Sequence, residues 1–162
     1  MTISVGDRLP AATFLQIGEN GPAPVELAPR LAGRKVVIFA IPAAYSGTCT
    51  NAHVPSFIRT KAAFLAKGIS EIICIAANDP FVMNAWGEST GATAAGISML
   101  SDADGSFAQA LGLSFSNPAT GLYNRSSRYS MLVEDGVVKV LRREMKGGTC
   151  EISGGEALLA EI

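Results

Sequence analysis

The sequence predicts an α/β fold built on one mixed sheet with helices against both faces, and three observations carry that prediction. The first is Lys35 to Ile41, KVVIFAI, a continuous apolar run rich in β-branched residues, as expected of a strand buried on both sides. The second is the alternation of such runs with helical patterns, which calls for right-handed crossovers and a parallel portion of sheet. The third is a pair of apolar segments, Tyr129 to Val133 and Val137 to Leu141, separated by Glu134-Asp135-Gly136. That spacing reads as a β-hairpin and adds antiparallel strands at one edge.

In chain order, Ala12 to Ile17 and Val25 to Leu27 are strand-like and form an N-terminal hairpin extension. The Lys35 strand leads into the turn-rich stretch PAAYSGTC. A helical pattern then runs from about Cys49 to Lys67 and stops at Gly68, with a kink expected at Pro55 because proline lacks an N–H. Glu71 to Ala77, EIICIAA, is a second buried strand, and Asn78-Asp79-Pro80 turns into a helix over Phe81 to Glu88. Ile97 to Leu100 reads as a third strand and Ser106 to Leu111 as a short helix. After the hairpin, Ser153 and Glu156 form a capping box ahead of the apolar ALLAEI, which starts the last helix. This order of elements is that of a thioredoxin-like fold.

The 162 residues, 48% of them hydrophobic and 17% charged, suit a single domain over 1–162. The size scaling gives a folded surface of roughly 7,600 Å². Thirteen basic against fourteen acidic residues leave a net charge of −1, and without a basic run nucleic acid is not an expected partner. The longest apolar run, Val36 to Tyr45, falls well short of the roughly 20 residues that span a bilayer, so no membrane partner is expected either. MTISVGDRLPAATF lacks a basic stretch followed by an apolar core, and a cytoplasmic location is the expectation.

Three cysteines, Cys49, Cys74 and Cys150, stand far apart without a CxxC pair, which fits neither a disulfide framework nor a structural zinc site. A reactive thiol in a reducing compartment remains. Cys49 sits where a buried strand hands over to a helix. The free N–H groups and the positive end of the helix dipole there favour a thiolate and an anionic oxygen beside it. His53 lies one helical turn further on, so a Cys-His dyad for acyl transfer or hydrolysis is an alternative. A fold of this kind with an inert cysteine, acting as a non-enzymatic adaptor, is another.

The stretch FAIPAAYSGTCTNAHVPSF, with EIICIAANDPFVMNAW and SRYSMLVEDGVVK, resembles the type-5 (plant type II-like) peroxiredoxins, and the resemblance covers nearly the whole chain. Two departures stand out: Ser46 replaces the usual threonine, and Gly47-Thr48 replaces Pro-Thr ahead of the cysteine, with Tyr45 where phenylalanine is common. The serine keeps the hydroxyl, whereas Gly47 loosens the loop.

The resemblance implies a thiol-dependent peroxidase of hydrogen peroxide and small alkyl hydroperoxides, working in antioxidant defence without metal, haem or flavin. Cys49 would be the peroxidatic nucleophile and pass through a sulfenic acid. Ser46 would orient the peroxide and Pro42 would shield the sulfur. Arg128 would favour the thiolate and hold the peroxide, with Arg125 the residue most easily mistaken for it. His53 would be structural or line the pocket. Cys150 after two glycines, Cys74 inside its strand, or an external thiol would resolve the sulfenic acid. Glutathione, glutaredoxin or thioredoxin would supply electrons. A homodimer is implied, with Phe81 and Trp86 as candidate surface residues, although aromatic residues at that spacing are more often core.

Overall fold

The computed structural model describes residues 1–162. Its elements are β1 (Thr13–Gly18), β2 (Gly21–Glu26), α1 (Leu27–Leu31), β3 (Lys35–Ala40), α2 (Val54–Ala66), β4 (Glu71–Ala76), α3 (Pro80–Thr90), β5 (Ser98–Ser101), α4 (Ser106–Ala110), β6 (Ser114–Asn117), β7 (Leu122–Ser126), β8 (Tyr129–Glu134), β9 (Val137–Arg143) and α5 (Gly155–Leu159). Seven strands form one sheet in the order β2-β1-β5-β4-β3-β8-β9, and β6 pairs with β7 in a separate ribbon. β3, β4 and β5 run parallel, whereas β8 lies antiparallel to β3 and β9 to β8. The accessible surface is 7335 Å², close to the expectation from chain length.

Because side chains alternate along a strand, the buried runs divide between two cores. Val36, Ile38 and Ala40 of β3 join Leu27, Leu31 and Phe107 on the face covered by α1 and α4. Val37 and Phe39 join Phe57, Phe64, Trp86 and Leu158 on the face covered by α2, α3 and α5. Cys49 and Cys74 belong to this second core. The N-terminal hairpin extension is present as β1 and β2, in register from Thr13–Glu26 to Gly18–Gly21, and β1 meets the main sheet at Leu15–Ser101.

Several boundaries differ from the sequence expectation. Leu27 opens α1 instead of closing a strand. The expected single helix from Cys49 is two: a π-helical turn over Cys49–His53 precedes α2. Pro55 cannot donate to the fourth residue before it, and the Val54 N–H instead reaches five residues back to the Cys49 carbonyl. The distortion therefore lies ahead of the proline. α3 begins at Pro80, where Asp79 accepts the Val82 N–H at 2.9 Å. The capping box does not form: Gly154 is the N-cap of α5, and the Ser153 hydroxyl is taken by Glu144 at 2.6 Å. The β6–β7 ribbon was not anticipated, since SFSNPATGLYNRS has no apolar alternation and is largely exposed.

Candidate active site

The C-terminal end of β3 and the start of β8 are neighbours in the sheet, with Ala40 opposite Tyr129. The Pro42 loop leaves from the first and Arg128 precedes the second, so the sheet itself delivers both to one place. The loop turns at Tyr45, whose φ of 66° lies in the left-handed region, a conformation that costs a non-glycine residue about 1 kcal/mol. Helical backbone then starts at Gly47 and puts Cys49 in the first turn, where backbone N–H groups have no intrahelical acceptor.

Three of the sequence-predicted residues meet directly. Arg128 donates from Nη2 to the Cys49 sulfur at 3.0 Å and from Nη1 to His53 Nδ1 at 3.0 Å. Cys49 and His53 have no exposed surface, and Arg128 is only 6% exposed. Inside such a site a guanidinium, which stays charged, favours a sulfur anion. His53 packs against Phe39 and Phe57 at 5.0 and 5.6 Å between ring centres. Burial first, and the Arg128 charge second, push its pKa down to about 3 against the opposing bond to Ser153. The ring is thus neutral. Arg128 can only donate, so Nδ1 accepts and Nε2 carries the proton, which goes to the Ser153 carbonyl at 3.0 Å.

That tautomer leaves His53 no lone pair for the Cys49 thiol, and the dyad expected of an acyl transferase is not formed. His53 has no exposed surface and is not part of the wall of the cavity beside the site, which favours the structural one of its two expected roles. The pocket beside the site is a cavity of about 810 Å³ whose wall includes Pro42, Ser46, Thr48, Ser127 and Arg128, with Phe115 and Leu122 from the β6–β7 ribbon. Ser46 gives its proton to the Ala43 carbonyl at 2.9 Å and so faces the cavity as an acceptor. Arg125 sits on β7, makes no bond to Cys49, and has buried Nε and Nη1 atoms without a protein acceptor.

The other two cysteines differ in setting. Cys74 is wholly buried in β4, and burial, followed by proximity to Cys49, holds its thiol well above the ordinary range. Cys150 is half-buried in the loop before α5; burial raises its pKa, partly countered by Arg128. Trp86 is fully buried and donates to Thr50 Oγ1 at 3.1 Å, so of its two readings the core one holds and the surface one does not. Phe81 is 64% exposed. Sequence reasoning did not connect to the site Thr48, which donates to the Gly148 carbonyl at 2.8 Å, or Ser153, whose carbonyl accepts from His53 and whose hydroxyl donates to Glu144.

The chain matches the Redoxin family model over residues 4–159. It is 43% identical over 165 residues to the chloroplastic peroxiredoxin-2E-2 of Oryza sativa subsp. japonica, covering 99% of this chain and 73% of that one. It is 37% identical over 161 residues to peroxiredoxin-2B of Arabidopsis thaliana, covering 99% and 98%. The crystal structure of reduced Prx3 in complex with hydrogen peroxide from Vibrio vulnificus superposes with a TM-score of 0.92 at 39% identity, covering 99% of both chains. A buried cysteine gripped by an arginine, on a fold shared throughout with these proteins, places the chain in the peroxiredoxin family.

Proposed function

We propose that Cys49 is the peroxidatic nucleophile of this thiol-dependent peroxidase, with Arg128, Ser46 and Pro42 forming the pocket in which a peroxide is held. The observation that carries this is the Arg128 Nη2 contact with the Cys49 sulfur at 3.0 Å in a buried site. The thiolate attacks one peroxide oxygen and a new S–O bond forms as the O–O bond breaks. The departing oxygen takes a proton and leaves as water or an alcohol. Sulfur is oxidised by two electrons to a sulfenic acid, and the peroxide is reduced by the same two. Arg128 stabilises the thiolate and the charge that develops on the departing oxygen. Ser46 accepts the peroxide O–H, and Pro42 screens the sulfur from water.

A second thiol then attacks the sulfenic acid, giving a disulfide and water. Cys150 is the preferred internal candidate, because its segment is half-buried while Cys74 is held in the middle of the sheet. Direct attack by glutathione is the external route. Glutaredoxin or thioredoxin completes the cycle. The cavity of about 810 Å³ has room for hydrogen peroxide and small alkyl hydroperoxides. The protein acts in the cytoplasm as a homodimer. The exposed rings of Tyr45 and Phe81 support a surface for association, since Asn78, just ahead of α3, accepts the Ala44 N–H and ties the Tyr45 loop to the start of that helix.

The test is peroxide consumption coupled to thiol oxidation, for the wild type and Cys49→Ser. The variant is expected to fold and to lose turnover, because a hydroxyl cannot attack the O–O bond. Turnover by Cys49→Ser near the wild-type rate would end the assignment.

A further inference from the structure

The best-satisfied carboxylate in the molecule lies outside the four residues assigned above. Glu144 follows β9 and is partly buried. No cation lies within salt-bridge distance of it. Its oxygens instead accept the backbone N–H groups of Glu151 at 2.8 Å, Ile152 at 3.2 Å and Ser153 at 2.9 Å. They also accept the hydroxyls of Thr149 at 3.3 Å and Ser153 at 2.6 Å. The loop carrying Cys150 is wrapped around this one side chain.

Both ends of the arrangement reach the sulfur. The Glu144 N–H donates to the Arg128 carbonyl at 3.0 Å. On the far side, His53 Nε2 donates a hydrogen bond to the Ser153 carbonyl, His53 Nδ1 accepts one from Arg128, and Arg128 donates to the Cys49 sulfur. Arg128 and the Ser153 carbonyl fix the tautomer together, one at each ring nitrogen. If the carbonyl moved away, a buried N–H would be left without an acceptor among Phe39 and Phe57, a state of high free energy. The ring would relieve this by turning or by moving its proton to Nδ1. Either change would take away the acceptor that Nδ1 offers Arg128 and loosen the guanidinium from the sulfur.

We propose that Glu144 is a positioning residue for the peroxidase reaction, clamping the loop 149–153 so that Ser153, His53 and Arg128 stay aligned on Cys49. The proposal rests on Cys49 being the nucleophile, but its test separates the two. The chain has one histidine, so a long-range ¹H–¹⁵N spectrum of the ring reports the His53 tautomer without ambiguity. In the reduced wild-type protein the proton is expected on Nε2; a wild-type ring protonated on Nδ1 overturns the proposal whether or not any variant folds.

Glu144→Ala and Glu144→Gln, in the full chain, are then compared with the wild type. Trp86 fluorescence serves as the check on folding. A folded Glu144→Ala protein is expected to show mixed tautomers and faster alkylation of Cys150, the sign of an opened loop. The pH profile of Cys49 alkylation is expected to move to higher pH, with a loss of about tenfold in rate at neutral pH. Glu144→Gln, which keeps one acceptor oxygen, should fall between. Unchanged Cys49 alkylation in either folded variant overturns the proposal, whatever the loop does. Failure of the nucleophile assignment would show instead as peroxidase activity in Cys49→Ser, with the tautomer still dependent on Glu144.

Discussion

At the scale of single residues, the chemistry turns on which groups can donate and which can accept. Arg128 has only donors, and that, together with the Ser153 carbonyl as acceptor, assigns both nitrogens of His53 and removes it as a base. The two arginines near the site should therefore separate cleanly. Arg128→Ala is expected to slow the reaction of Cys49 with hydrogen peroxide about 100-fold, the usual effect of removing one donor to a developing anion. Arg125→Ala, which touches neither sulfur nor His53, should stay within about threefold, as expected for a residue making no contact with the reacting atoms. Stopped-flow measurement of both rates checks this, and equal losses would move the catalytic role away from Arg128. Cys49 and Arg128 were legible in the sequence because their surrounding motifs are local. Glu144, Ser153 and Thr48 were not. His53 lies 100 positions from Ser153, and no spacing rule connects residues that far apart.

At the scale of elements, the buried strands were read correctly because a run such as KVVIFAI can satisfy itself only inside a two-faced sheet. The β6–β7 ribbon was not read, since its strands are exposed and polar and owe their form to backbone pairing rather than to an apolar pattern. The start of α5 was misplaced for a related reason. Ser153 has the right spacing for a cap, but the Glu144 carboxylate competes for the same hydroxyl, and a charged acceptor forms the stronger bond. What seats α5 is Gly155: its N–H donates to Ser56 Oγ at 2.8 Å, and a Cβ there would fall 2.5 Å from the Ser56 carbonyl oxygen. Gly155→Ala should therefore lift α5 off α2 and lower stability by about 1–3 kcal/mol, the range for overpacking. A thermal melt with the wild-type midpoint would contradict this account of how the two helices approach.

At the scale of the whole molecule, the C-terminal end of β3 and the N-terminal end of β8 lie side by side at one end of the strands, inside the sheet, and Cys49 sits in the core on the α2, α3 and α5 face. The burial that creates the site also makes the fold sensitive to acid. His53 titrates near 6.5 when exposed and at about 3 when folded. Between those values the unfolded chain binds a proton that the native state excludes. The full stability is present above about pH 6.5 and is lost as the pH falls toward 3. From pH 7 to pH 5 this group should remove about 2 kcal/mol of unfolding free energy. Urea titrations at both values should show the loss in the wild type and a smaller one in His53→Gln, whereas equal losses would contradict the assigned neutral ring. The central claim is that peroxide oxygen is transferred to Cys49, and its most direct test is chemical. The reduced protein is given one equivalent of hydrogen peroxide in the presence of dimedone, the remaining thiols are alkylated, and the peptides are mapped by mass spectrometry. The account predicts dimedone on Cys49, or a disulfide that includes it, with Cys74 recovered as a free thiol; dimedone on Cys74 or Cys150 with Cys49 recovered unoxidised would contradict it.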